Sequence, residues 1–169
     1  KYKKNIFGNN ITAENVIRNS LVMDEGDPFN KILLNKSINS IKSLNIFKSV
    51  NYSIVDSDIR NKKIVDITIE EKATGEISAG AGVGTSGSSL AFNIKENNYL
   101  GKGIVLDAGL DLDDESIKGQ FNYTNPNYKN SDRSLLLGLH SSATDRLAEY
   151  GYKSSNTGFA FGTKYEQYD

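Results

Sequence analysis

The chain is 169 residues long, and its 20 Lys+Arg against 21 Asp+Glu give a formal net charge of −1, which leaves no polybasic footprint for a nucleic-acid partner. Cysteine is absent, so neither a disulfide framework nor a thiolate metal site is available. No apolar run approaches the roughly 18 residues of a membrane-spanning helix, but the mean hydropathy of −0.47 does not exclude a membrane barrel, which turns only alternate residues to lipid.

In chain order, Ile6 and Phe7 end a short strand and Gly8-Asn9-Asn10 forms a turn. Thr12 is placed to N-cap a helix with Glu14 in its first turn and an apolar stripe of Val16, Ile17 and Leu21. Asp24-Glu25-Gly26-Asp27-Pro28 stops that helix. Leu34, Ile38, Ile41 and Leu44 mark a second helix by their spacing of three and four. Val50, Tyr52 and Ile54 then alternate, as do Val65, Ile67 and Ile69, with polar residues from Asp56 to Lys63 as the connecting hairpin. The order strand, helix, helix, strand, strand predicts a compact α+β module over residues 1–72.

From residue 73 to 169 the period changes to two. Strands are predicted at 76–85, 89–97, 103–113, 117–125, 133–142 and 157–168, with a longer loop at 143–156. Their apolar positions fall on one face: Ile77, Ala79, Ala81 and Val83; Leu90, Phe92 and Ile94; Ile104, Leu106, Ala108, Leu110 and Leu112; Phe121 and Tyr123; Leu135, Leu137 and Leu139; Phe159 and Phe161. Asp107, Asp111 and His140 alternate onto the other face. Length and alternation fit antiparallel transmembrane β-barrel strands, about six of a larger barrel, and tyrosines near the strand ends fit interfacial girdles. A soluble β-sandwich or a ligand-binding barrel alternates in the same way. The chain opens on Lys1 and closes on Asp169 inside a predicted strand, which reads as a piece of a longer exported protein.

No catalytic constellation can be assembled, so an enzyme is not expected, and neither a cofactor nor a metal is called for. Gly82-Val83-Gly84-Thr85-Ser86-Gly87 matches a dinucleotide fingerprint in spacing, but alternation resumes at Ser89 where a helix is required. Asp111, Asp113 and Glu115 start like a calcium loop, but Ser116 stands where glycine is needed and no closing glutamate follows. His140 is the only histidine and has no triad partners. Glu70-Glu71-Lys72 reads as a solvated strand end.

The strand Ile77, Ser78, Ala79, Gly80, Ala81, Gly82, Val83 is unusual in its small residues. Glycine raises the entropic cost of pairing and removes cross-strand contacts, so this strand suits temporary pairing. The same glycines also suit relief of crowding at a bend or bulge.

These residues carry a resemblance. Gly26-Asp27-Pro28-Phe29-Asn30 followed by Ser37, Leu44, Phe47 and Val50, and the join Glu70-Glu71-Lys72-Ala73-Thr74-Gly75 into Gly80-Ala81-Gly82-Val83-Gly84-Thr85, resemble the last POTRA domain and first barrel strand of the BamA family of outer-membrane protein assembly factors. Glu96-Asn97-Asn98-Tyr99-Leu100-Gly101-Lys102-Gly103 and Thr124-Asn125-Pro126-Asn127-Tyr128 resemble that barrel's first two periplasmic turns. The resemblance implies a periplasmic POTRA domain joined to the N-terminal portion of an outer-membrane barrel. It implies an insertase for other β-barrels whose partners are unfolded outer-membrane proteins, accessory lipoproteins and the lipid bilayer, with residues 77–83 as the lateral-gate strand. It further implies that Ser49, Val50, Asn51, Tyr52, Ser53 and Ile54 form an outer POTRA strand open to an extended segment, flanked by Lys48, Asp56 and Asp58. The family's first POTRA helix often carries Arg-Arg-Glu where this chain reads Arg18-Asn19-Ser20, so docking of an accessory lipoprotein does not carry over to that position. A TamA-like assembly factor and a two-partner secretion transporter of the same superfamily fit the resemblance as alternatives.

Overall fold

The computed structural model describes residues 2–8, 11–57, 62–84, 87–131 and 133–165. The Asn9-Asn10 part of the first turn, the hairpin tip at 58–61 with Asp58, Thr85-Ser86, Asp132 and the end of the last strand at 166–169 lie outside the described residues. The described chain forms two units, the first built on the residues up to Thr74 and the second on the strands that begin at Gly75.

In the first unit, β1 (Tyr2–Phe7), α1 (Glu14–Arg18), α2 (Lys31–Ser43), β2 (Phe47–Asp56) and β3 (Lys63–Glu71) follow the predicted order. The sheet order is β1-β3-β2, with β1 parallel and β2 antiparallel to the central β3. Alternation on β3 buries Val65, Ile67 and Ile69 in one cluster with Val16 and Ile17 of α1 and Leu34, Ile38 and Ile41 of α2. Each such side chain taken out of water contributes about 1.5–3 kcal/mol before entropy. This cluster is the hydrophobic core of the unit.

α2 starts where Asn30 caps it, its Oδ1 accepting from the backbone N–H groups of Ile32 at 2.8 Å and Leu33 at 3.4 Å. Ser37 interrupts the apolar stripe of α2, yet it is buried because its hydroxyl has two partners. It donates to the Leu33 carbonyl at 2.9 Å and accepts from the Val22 N–H at 2.9 Å, fixing the loop that arrives from α1.

Two local expectations fail in this unit. Thr12 does not occupy the N-cap of α1; Ala13 does, without a side-chain cap, and the helix closes after five residues rather than reaching Leu21. The Ser20 hydroxyl bonds back to the Val16 carbonyl at 3.0 Å, an alternative to continued helical pairing that polar Asn19-Ser20 invites. Leu21 still packs on the core, from the loop. Glu71 is not a solvated strand end either. Its carboxylate accepts from the N–H groups of Ile11 at 2.9 Å and Thr12 at 2.6 Å, and so pins the segment leading into α1 to the end of β3.

The second unit is a six-stranded antiparallel meander: β4 (Gly75–Gly84), β5 (Gly87–Tyr99), β6 (Ile104–Asp113), β7 (Ser116–Asn125), β8 (Arg133–Arg146) and β9 (Tyr152–Tyr165). Each strand pairs with the next in sequence, and among the described residues no pairing joins β4 to β9. The loop expected at 143–156 is mostly strand. β8 and β9 stay paired from Ala143↔Ser155 to Arg146↔Tyr152 and turn through the single helical turn Leu147–Tyr150 and Gly151. Gly151 holds φ +73, the left-handed region that glycine adopts without a Cβ penalty. Ser, Thr and charged residues occupy both faces of this extension, so no alternation announces it.

Candidate functional site: an apolar sheet face and two open strand edges

The registers line up the apolar residues of all six strands on one face. Ile77 pairs with Ile94, Ile94 with Ala108, Ala108 with Phe121, Phe121 with Leu139 and Leu139 with Phe159. The next row on that face reads Ala79, Phe92, Leu110 and Gly119, and the one beyond it Ala81, Leu90, Leu112 and Ile117. These side chains cover nothing within the unit: Ile77 is 82% and Val83 89% exposed, and Phe92, Phe121, Leu139, Phe159 and Phe161 are exposed as well. Ile104 is the only buried apolar residue of this unit among the described residues. A contiguous apolar face that the unit leaves uncovered marks a contact with something other than water, and one apolar face across antiparallel strands is the pattern of membrane-barrel strands.

The opposite face is polar and internally bonded. Asn93 donates to Asp107 at 3.0 Å across β5–β6, Asp111 faces Lys118 and Gln120 faces His140 in register. His140, the lone histidine, lies over Gly158 of β9: a Cβ built on Gly158 collides with the imidazole ring. The ring fills the space a side chain would take, a cross-strand arrangement that sequence reading missed because it depends on register. Gly158→Ala is therefore expected to destabilise the folded sheet in the parent and to be neutral or favourable in a His140→Ala background. The coupling in a double-mutant cycle should reach about 0.5–3 kcal/mol; equal effects in both backgrounds would disprove the packing.

The small-residue strand lies where the sheet stops. β4 pairs with β5 from Gly75↔Glu96 to Gly84↔Gly87, which places Ser78 against Asn93, Ala79 against Phe92, Gly80 against Ala91, Ala81 against Leu90, Gly82 against Ser89 and Val83 against Ser88. All ten residues of β4 are exposed, and its other edge has no partner strand among the described residues. A Cβ on Gly80 or Gly84 would meet no atom of the chain within 4 Å, and one on Gly82 would meet only the Ser89 hydroxyl, at 3.1 Å. Crowding within this chain thus does not explain Gly80 and Gly84. Their physical effect is a strand with little side-chain adhesion to its neighbour.

In the first unit, β2 is an edge strand that among the described residues pairs with β3 alone. Val50 is buried, Ser49 and Tyr52 are half-buried, and Asn51, Ser53 and Ile54 are exposed. The Tyr52 hydroxyl meets Asn35 of α2 at 3.0 Å. A groove between α2 and β2 is lined by Lys42, Phe47, Lys48, Ser49, Val50 and Asn51. At its mouth the Lys48 ammonium lies 2.6 Å from Glu70. That hydrogen bond holds the Glu70 carboxyl below the usual carboxylate range and raises the lysine. Charge beside an edge opposes indiscriminate strand addition.

Comparisons with known proteins fit this architecture. The family model of the POTRA domain, described as a surface antigen variable number repeat, matches residues 3–72. The outer membrane protein assembly factor BamA of Neisseria meningitidis serogroup B is 22% identical over 172 residues, covering 97% of this chain and 22% of that protein. A putative outer membrane protein assembly factor of Treponema pallidum is 28% identical over 121 residues, covering 67% of this chain and 14% of that protein. The chain thus spans less than a quarter of the length of these curated relatives. The crystal structure of Haemophilus ducreyi BamA lacking POTRA domains 1–3 matches with a TM-score of 0.79 at 24% identity, over 94% of this chain and 31% of that one. CdiB from Acinetobacter baumannii matches with a TM-score of 0.60 at 17% identity, over 94% of this chain and 32% of that one. Residues 3–72 thus match the POTRA family model, and the chain as a whole is similar in fold to the corresponding part of BamA, a POTRA-like unit followed by six antiparallel strands arranged like those of a BamA barrel.

Proposed function

We propose that this chain works in the folding and insertion of β-barrel proteins into the bacterial outer membrane, without bond chemistry, by offering the open edge of β4 to an incoming strand. Residues 73–169 are then the N-terminal portion of the barrel, lying in the outer membrane, and residues 1–72 stand in the periplasm. The partners are unfolded outer-membrane proteins, the accessory lipoproteins of the assembly complex and the bilayer, and the departure at Arg18-Asn19-Ser20 gives no support to lipoprotein docking there. The observation that carries the reading is the make-up of β4: it pairs with β5 along one side and is poor in side chains that would commit it to a permanent neighbour. On the POTRA side, β2 with the groove along α2 suits an extended client segment by the same main-chain chemistry.

Cysteines placed singly at Ser78, Ala79, Gly80, Ala81, Gly82 and Val83 of the full-length protein test the reading. Several should crosslink to the terminal strand of a client stalled during assembly. If every position reacts with a small thiol reagent and none crosslinks to the client, β4 is not the template.

A further inference from the structure

We propose that the turn between β6 and β7 braces β4: Asp114 fixes the hairpin that carries β4, Glu115 anchors the turn to β8, and Asp114 is thereby a positioning residue for the strand that receives the client. The inference rests on the reading of β4 as the template, and it names what holds that template in place.

β4 needs support from outside because its own side chains supply little. Glycine and alanine alternate from Ala79 to Gly82, and a strand so poor in cross-strand contacts leaves its register to the turn that follows it. That turn leads from Gly84 to Gly87, which face each other in the ladder. Gly87 holds φ +106, a conformation that side chains rarely adopt, and a Cβ built there would collide with the Asp114 carboxylate. The same carboxylate accepts from the Ser88 N–H at 3.1 Å. The β5–β6 register ends at Ser89↔Asp113, one residue short of Ser88. A side chain therefore carries the ladder one step past the last paired residues. Hydrogen bonds to an ionised acceptor are roughly twice as strong as neutral ones, which suits a single contact to the task.

The other side of the turn reaches β8. The β7–β8 register ends at Ser116↔Thr144, and beyond it the Glu115 carbonyl accepts from the Asp145 N–H at 2.8 Å. The Glu115 carboxylate pairs with the Arg146 guanidinium at 2.5 Å. Asp113 shapes the turn itself, accepting from the Glu115 N–H at 3.0 Å and the Ser116 hydroxyl at 2.6 Å. Three consecutive carboxylates thus hold three different partners of this chain. The acidic run that starts like a calcium loop in the sequence has a use that needs no ion. A cavity at this end of the sheet is lined both by Gly82, Val83 and Gly84 of β4 and by Glu115 and Arg146. The brace and the end of the template strand border one space.

Hydrogen exchange and client crosslinking on the full-length, membrane-inserted protein test the brace apart from the template. Asp114→Ala removes the acceptor, whereas Asp114→Asn keeps a carbonyl oxygen that can take the Ser88 N–H. In Asp114→Ala, exchange in peptides covering 79–84 and 87–91 should rise about fivefold, the scale of one hydrogen bond, with a peptide covering 117–125 unchanged. Asp114→Asn should stay near the parent. Client crosslinks from Gly82→Cys and Val83→Cys should fall several-fold in the Asp114→Ala background, while those from Ser78→Cys and Ala79→Cys persist. Parent-level exchange in Asp114→Ala, or an even fall in crosslinking at all four positions, would overturn the brace. If the parent crosslinks at none of them, the template reading fails and the exchange measurement alone decides the brace. Should Asp114→Ala fail to fold, Asp114→Leu, which keeps the side-chain shape without an acceptor, carries the same expectation.

Discussion

Arginine in place of Leu137 should sharply lower the yield of barrel folded into lipid vesicles, whereas arginine in place of the adjacent Leu136 should leave it close to the parent. The two sites differ by one residue and by face. Leu137 belongs to the apolar row with Tyr123 and Phe161, midway between Leu135 and Leu139 on its strand. Leu136 points to the polar face, between Thr124 and Gly162, and is 40% exposed. A cationic side chain at the bilayer midplane costs about 2–4 kcal/mol, and on the water-lined face it costs little. Refolding into vesicles at a series of urea concentrations measures both. If Leu136→Arg were the more damaging, the face assignment would be inverted.

Proline along β4 separates templating from barrel stability. In an antiparallel ladder, successive N–H groups point alternately to the two neighbours. Of Gly80→Pro and Ala81→Pro, one removes a donor to β5 and the other a donor to the open edge. The open-edge variant should fold normally and lose client capture, by up to roughly tenfold for one hydrogen bond with a net value of about 0.5–1.5 kcal/mol. Ala81→Val should be tolerated, since affinity there comes from the main chain. Leu90→Pro, within β5, should instead impair the barrel itself, because β5 is paired on both sides. Client assembly on purified protein, measured beside the heat-stability of the barrel, distinguishes the cases. Equal assembly by all β4 variants would contradict the template role.

The parts of the fold that were legible in the sequence are those in which one solvent acts on one face. Leu34, Ile38 and Ile41 announce α2 because a core lies on one side of it, and the strand at Leu135, Leu137 and Leu139 announces itself because its apolar residues share one face of the sheet. Where no apolar face forms, as from Ala143 to Arg146, polarity no longer reports conformation, and paired strand read as loop. Contacts that depend on a distant partner were also illegible. Glu71 reaching Ile11 and Thr12, and His140 covering Gly158, follow from register and chain return, which no local pattern encodes. The end of α1 was misplaced for a local reason, the backbone bond made by Ser20. For the candidate site, the small residues of β4 were visible in the sequence. That Gly80 and Gly84 border open space rather than a crowded neighbour needed coordinates.

The central claim is that one face of the second sheet is solvated by hydrocarbon and the other by water. The most direct measurement is photolabelling of the membrane-inserted, full-length protein with a carbene probe carried on a lipid acyl chain, mapped residue by residue by mass spectrometry across β8. Labelling should follow a period of two, strong at Leu135, Leu137 and Leu139 and weak at Leu136, Gly138 and His140. Uniform labelling along the strand, or labelling in the opposite phase, would contradict the account.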